Sequence, residues 1–427
     1  MMTKQCTTLV LALGIGVAGS PDAVAQNAPD SAAVARVLAH VRYLAADARE
    51  GRGVGTTGLD SAAAYVARQF GVIGLTPAGS EGFFQPFEID PSAPAVAHAG
   101  IGRTAVKNVV GMIPGRGPLA SQVVVLGAHY DHLGLGGMGS LDPDSIGIVH
   151  NGADDNASGT AALLEAARRL RELSAPSYRT LVFVAFTAEE LGLIGSEHYV
   201  RNPVFPTDST YAMINFDMVG RLRHDTLLVV GTGSAEELPE LLEQVNARHG
   251  FVLRELTDPW GRSDHSSFYG QRIPVVHLFT NTHADYHRST DDWQYISGGG
   301  IVRVAAFATD LAWLLVTRQP KLAFVDVPQP QPAAGGGGYG AYLGTIPDMT
   351  ESPGGVRLTG VRAGSPAERA GIRRGDILIQ LGDHEVKDLY DMTDALRAHK
   401  PGDVVTVIVL REGEHVELTA TLGKRGG

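Results

Sequence analysis

The segment Val123-Val124-Val125-Leu126-Gly127-Ala128-His129-Tyr130-Asp131-His132 opens as an unbroken apolar run and ends in imidazoles and a carboxylate. Three successive β-branched residues favour a strand, and a strand without polar alternation has to be covered on both faces. The same pattern recurs along the chain. Thr180–Phe186 runs into Thr187-Ala188-Glu189-Glu190, Ala212–Phe216 into Asp217, and Val275–Phe279 into the loop that carries His287. Leu227–Val230 is a fifth apolar run. Helix-patterned stretches at Gly159–Leu173, Leu191–Val200, Glu236–His249 and Ile301–Val316 separate or follow these strands, and amphipathic stretches at Ala33–Ala46 and Ser61–Phe70 precede them. Short two-sided strands alternating with helices specify an α/β fold, a mostly parallel central sheet sandwiched by helices.

In such sheets ligands bind outside the carboxyl ends of the strands. Four chemically loaded segments fall there: Gly127–His132, Ala188-Glu189-Glu190, Asn215-Phe216-Asp217 and Tyr286-His287-Arg288-Ser289. A fifth, Gly152-Ala153-Asp154-Asp155-Asn156, enters the Gly159–Leu173 helix and reaches the same rim from its loop. One acid after a strand is usually a helix cap or a solvated charge. Five such segments converging on one rim instead suit a metal site.

Two imidazoles with three carboxylates and no thiolate fit zinc, and a pair of zinc ions about 3.5–4 Å apart needs a shared carboxylate. Asp154 is the natural bridge, although spacing alone does not choose it over Asp155. One member of the Glu189-Glu190 pair is left over as a base toward metal-bound water. Asp131, two residues beyond His129, is placed to orient its imidazole. His132, His150, Asp155, His265 and His283 read as ordinary loop residues.

Composition narrows the partners. The 427 residues exceed one average domain, and 44% hydrophobic with 19% charged residues describes a globular chain. A formal net charge of -11 argues against nucleic acid, which needs a basic surface. Lys4, the apolar run Leu9–Val17 and Ala23-Val24-Ala25 have the order of a secretory signal spanning residues 1–25. The chain is therefore expected to be exported, to periplasm or medium, with no later segment inserting stably in a membrane. The only cysteine, Cys6, lies within that signal, so the mature chain has neither disulfide nor thiolate ligand.

Residues 327–338, VPQPQPAAGGGG, form a Pro/Gly linker. It divides an expected enzyme domain, 26–326, from a small β-rich module, 339–427. There Val356–Val361, Asp376–Leu381, Val404–Leu410 and Val416–Leu422 are strand-like, around a helix at Leu389–Ala398.

The segments HYDH (129–132), NGADDNASG (151–159), FTAEELGLIGS (186–196), NFDMVG (215–220) and YHRSTDD (286–292) resemble those of the co-catalytic zinc aminopeptidases, whose relatives include glutamate carboxypeptidases and glutaminyl cyclases. The resemblance runs from about Val37 to Val316. It implies two zinc ions per chain, with His129 and Asp217 on one, Glu190 and His287 on the other, and Asp154, the first aspartate of its pair, between them. It implies Glu189 as general acid/base in removing residues from free peptide N-termini. Asp264 and His265, in Ser263-Asp264-His265, match a segment lining the substrate side. A cyclase, usually a one-zinc transferase, and a carboxypeptidase are the alternatives that share these motifs. Trp260, Phe268, Tyr269 and Phe279 are candidates for an apolar pocket or for the core. The Gly-rich insertion between Leu133 and Asn151 reads equally as a lid or a surface loop.

Residues 340–425 resemble a bacterial-type PDZ domain. Tyr342-Leu343-Gly344-Thr345 looks like its carboxylate-binding loop, and Gly364–Ile372 and Gly375-Asp376 match its turn and short helix. A peptide C-terminus is then the expected ligand, added as a strand beside Leu389, Met392 and Leu396, which are equally suited to the core. None of the chemistry lies beyond the linker, so the module is expected to act as a tethered recruiter. A charge at Leu343 is expected to imitate its removal.

Overall fold

The computed structural model describes residues 30–424, apart from 138, 143–144, 262, 330–340, 348–353 and 388. The expected signal, most of the linker and the extreme C-terminus lie outside the described residues.

The first part of the chain runs α1 (Ser31–Leu44), α2 (Thr57–Ile73), β1 (Thr76–Pro77), β2 (Phe84–Ile89), α3 (Pro94–His98), β3 (Thr104–Ile113), β4 (Val123–His129), α4 (Gly159–Arg171) and β5 (Thr180–Phe186). It continues through α5 (Ile194–Arg201), β6 (Thr210–Phe216), β7 (Thr226–Val230), α6 (Leu238–Asn246), β8 (Val252–Leu256), α7 (His265–Tyr269), β9 (Val275–Phe279) and α8 (Gly298–Thr317). These strands form one sheet in the order β1-β3-β5-β4-β6-β9-β7-β8, with β2 also paired to β3. The four middle strands, β5-β4-β6-β9, are mutually parallel. Antiparallel pairing is confined to the β1/β2/β3 flank and the β7–β9 junction.

Every residue of β4, β5 and β9 is buried, as runs without polar alternation require. Helices α1, α4 and α8 cover one face. Phe186, Tyr199, Phe268 and Tyr269 pack with Val125, Val184 and Met213 on the other. Helix α8 has the length and apolarity to cross a bilayer, contrary to the expectation that no segment after the signal would. Two thirds of it is buried against this domain, which accounts for its composition. Residues 322–327 fold back on the domain: Tyr269 Oη donates to Val325 O at 2.9 Å and Trp260 Nε1 to Val327 O at 2.8 Å.

The second unit comprises β10 (Ala341–Tyr342), β11 (Thr345–Pro347), β12 (Val356–Val361), α9 (Pro366–Ala370), β13 (Ile377–Leu381), β14 (His384–Glu385), α10 (Leu389–Ala398), β15 (Val404–Arg411), β16 (Glu414–Thr421) and β17 (Gly423–Lys424). It is antiparallel, in the order β11-β12-β13-β15-β16, so one side of β11 is a sheet edge. Its separate core contains Leu343, Leu358, Leu378, Leu381, Met392, Val407 and Val409, with Leu396 partly buried against it. Met392 is therefore core.

Candidate metal centre

Five strand ends and loops meet at the C-terminal rim of β4, β5, β6 and β9. His129, the last residue of β4, is buried, and its Nε2 lies 3.3 Å from Asp155 Oδ1 and 3.5 Å from Asp217 Oδ1. Across the site, His287 Nε2 lies 3.1 Å from the other Asp155 oxygen, Oδ2, and 3.3 Å from Glu190 Oε2. His132 Nδ1 sits 2.8 Å from Glu190 Oε1 and 3.9 Å from Asp155 Oδ2. Two donor sets result, His129–Asp155–Asp217 and His132–Asp155–Glu190, each with its donor atoms within 4.8 Å of one another. Asp155 belongs to both.

Asp154, expected as the bridge, is turned away from this cluster. Its Oδ1 accepts from Gly220 N at 2.6 Å and Ser158 Oγ at 2.9 Å, and its Oδ2 lies 3.1 Å from His283 Nε2. The local backbone is the physical reason. Asp155 (φ −104°, ψ 92°) and Asn156 (φ −135°, ψ 45°) depart from helical geometry within an otherwise wound turn, so adjacent carboxylates point in different directions.

The irregular turn is heavily anchored. Asp291 Oδ2 accepts from the backbone N–H groups of both Asp154 (2.9 Å) and Asp155 (3.1 Å). Asn156 donates to Phe216 O, and its Oδ1 accepts from Gly159 N and Met218 N, tying the start of α4 to the strand end that carries Asp217. Gly152 has φ 53°, and a Cβ there would stand 2.1 Å from Asp155 O, so only glycine fits. Beneath it the fully buried Arg52 donates to four carbonyls, those of Leu44, Tyr130, Asn151 and Gly152, at 2.7–2.8 Å.

Asp131 lies beside His129 and reaches beyond it. Its Oδ1 stands 3.7 Å from His129 Nδ1, beyond hydrogen-bond length but close enough for charge attraction. The same carboxylate accepts from Glu189 N at 3.1 Å and Glu190 N at 3.3 Å. Glu189 itself enters neither donor set. Burial pushes its carboxyl well above the usual range; His129 opposes this, while Glu190, Asp264 and Asp217 add to it. Burial acts the same way on Glu190, but His287 and His132 outweigh it and bring that group to about 2. His129 behaves conversely, for desolvation alone would lower it and the carboxylates of Glu189 and Asp217 carry it well above 6.5.

Of the substrate-side pair, Asp264 is fully buried, its carboxyl pushed up to about 7 by desolvation, and near enough to repel Glu189. His265 is stacked on His277, with ring centroids 4.6 Å apart, and burial holds it well below its ordinary value. Phe268 and Tyr269 are core residues, and Trp260 packs edge-on against Tyr269. Phe279 belongs to a small apolar group with Met218 and Leu228, bordered by Tyr286, which stacks on His287. The 133–151 segment is bound to the site: Gly139 O accepts from His287 Nδ1, and Leu141 N donates to His287 O, both at 2.9 Å.

His132 and His283, read from sequence as ordinary loop residues, are thus a partner of Glu190 and a partner of Asp154. His132 stands three residues past His129, in the same loaded segment, and that position was the available signal. Nothing in the spacing marks His283.

The cluster suits cations. Asp217 Oδ1 is buried and makes no hydrogen bond, and four carboxylates, those of Asp155, Glu189, Glu190 and Asp217, crowd the imidazoles. A parallel α/β sheet bearing two donor sets that share a carboxylate at its strand ends is suited to hold a pair of metal ions. Residues 108–312 match the model for Peptidase family M28 and residues 341–422 that for the PDZ domain. Residues 108–312 are therefore similar to the M28 peptidases, and residues 341–422 to PDZ domains. Among curated proteins it is similar to leupeptin-inactivating enzyme 1 of Streptomyces exfoliatus, 31% identical over 45% of this chain and 39% of that one. It is also similar to aminopeptidase YwaD of Bacillus subtilis (strain 168), 29% identical over 50% and 46%. The chain spans less than half the length of these relatives. Among solved structures a zinc aminopeptidase from Bacillus subtilis shares the fold, with TM-score 0.53 and 18% identity over 69% of this chain and 98% of that one.

Proposed function

We propose that this chain is an exported aminopeptidase that holds two zinc ions and removes residues from free peptide N-termini. The observation that carries the reading is Asp155, which gives one carboxylate oxygen to each of two donor sets. In this reading His129 and Asp217 complete the first set, and in the second His287, 3.1 Å from Asp155 Oδ2 and 3.3 Å from Glu190 Oε2, takes the place of His132 beside Glu190. His132 holds the far oxygen of Glu190, so that the near one faces His287.

Zinc bound there would supply Lewis acidity toward the scissile carbonyl and lower the pKa of water. Glu189 accepts the proton of the attacking water as its oxygen adds to the carbonyl carbon. When the C–N bond breaks, Glu189 returns that proton to the leaving amine. Asp131 fixes the turn on which Glu189 stands. Met218, Phe279 and Tyr286 offer an apolar wall beside the centre.

The test is a zinc count on the purified chain, joined to assays on aminoacyl anilides and on free and N-acetylated peptides. Two zinc ions with cleavage of unblocked peptides alone is the expected result. One tightly bound zinc with cyclisation of N-terminal glutamine would favour the cyclase alternative. Loss of C-terminal residues from acetylated peptides would favour a carboxypeptidase. The PDZ module would bind a peptide C-terminus along the free edge of β11.

A further inference from the structure

The tether reading makes the PDZ module a bystander to the chemistry, yet hydrogen bonds join it to the segments around His287. Residues 139–142 and 287–289 are bound to each other three times. Gly139 O accepts from His287 Nδ1, Leu141 N donates to His287 O, and Ser289 Oγ donates to Asp142 Oδ2 at 2.7 Å. The first of these bonds matters most. A carbonyl can only accept, so Nδ1 carries the proton and Nε2 is left as the lone-pair nitrogen facing Asp155 and Glu190.

Between Gly139 and Leu141 stands Ser140, almost fully buried, with its Oγ 2.9 Å from His150 Nε2. Its carbonyl accepts from the guanidinium of Arg362, in the PDZ module, at 3.2 Å. A second bond runs the other way: Arg288, the residue after His287, donates to Thr359 Oγ1 of β12 at 3.3 Å. Both PDZ residues are held by Gly344 and β11 of their own module. Arg362 N donates to Gly344 O at 2.8 Å, and the Thr359 hydroxyl donates to Ile346 O of β11 at 3.2 Å.

We propose that the PDZ module is a positioning element of the metal centre, in which Arg362 and Thr359 brace the 139–142 and 287–289 segments and so fix the orientation of His287. This inference rests on the metal reading above. Neither residue touches the reacting atoms, so the expected effect falls on metal retention and on KM more than on the identity of the reaction.

The experiment uses the full chain loaded with zinc and a chromophoric chelator as competitor, comparing wild type with Arg362→Ala, Thr359→Val and Arg362→Lys. Changing an outer partner of a metal-ligating histidine typically costs about 10–100-fold in metal affinity, and here one further contact intervenes. About 3–10-fold weaker retention of one of the two ions is expected for both Arg362→Ala and Thr359→Val. Arg362→Lys, which keeps a donor, should recover part of the loss. Heat-capacity scans separate this from unfolding of the module, and the valine variant keeps the shape of threonine. Zinc retention equal to wild type in both variants would overturn the proposal. If wild type holds zinc but cleaves no peptide, the function reading fails, whereas the chelator comparison still decides this one. If wild type holds no zinc, both fall.

Discussion

Exchanging Asp155 for asparagine separates the two adjacent aspartates by a measurable amount. Asp155 supplies one oxygen to each donor set, 3.3 Å from His129 Nε2 and 3.1 Å from His287 Nε2, so its loss weakens both sets at once. Structural zinc sites with four ligands bind with about 10–16 kcal/mol, or about 2.5–4 kcal/mol per ligand. One weakened ligand per ion therefore predicts about 10²–10³-fold poorer retention at each position. Asp154→Asn has a different expected outcome. The amide oxygen still accepts from Gly220 N and Ser158 Oγ, and only the charge facing His283 is lost. That variant should keep its zinc and lose about 1–3 kcal/mol of stability, a melting shift of a few degrees. The assay is elemental analysis after dialysis against a fixed chelator concentration, paired with thermal melts. Zinc stripped by Asp154→Asn and retained by Asp155→Asn would refute the reasoning.

Glu189→Gln should retain metal and lose about 10²–10⁴-fold in kcat, measured on an aminoacyl anilide, since the group lies outside both donor sets and serves proton transfer alone in the proposed mechanism. Leu343 is 1% exposed within the PDZ core. Leu343→Asp should therefore unfold the module rather than block its groove, because lost packing and an unpaired buried carboxylate together cost several kcal/mol. Loss of a separate calorimetric transition or rapid proteolysis of residues 341–422 would register it, and an unchanged PDZ melt would count against it.

The parts of the fold that carry the site were legible because β4, β5, β6 and β9 are apolar almost throughout and lead into segments that carry imidazoles or carboxylates. Burial on both faces allows no polar alternation, and the chemistry can only begin where the sheet stops. β8 escaped notice for the complementary reason: Val252–Leu256 lies at the sheet's edge and its residues are largely exposed. β2 and β3 combine polar and apolar positions as a flanking antiparallel pair does. The Asp154/Asp155 choice failed at a finer scale. Two identical side chains one residue apart differ only in backbone torsion, and that torsion is imposed by Asp291, Asn156 and Arg52, which lie far away in sequence. His283 was invisible because its meaning depends on Asp154 pointing toward it.

The reach of Asp131 has a consequence for how this centre can vary. One carboxylate is the common datum from which an imidazole and two successive glutamates are placed. An error in its position is shared by all three, leaving their mutual spacing intact while the whole group drifts relative to Asp155 and Asp217. Metal tightness and proton-transfer geometry are thereby yoked together on this side of the centre. A substitution at residue 131 cannot trade one against the other, and independent adjustment has to come from the opposite wall, where Asp291 holds the turn of Asp155 and the 139–142 segment holds His287.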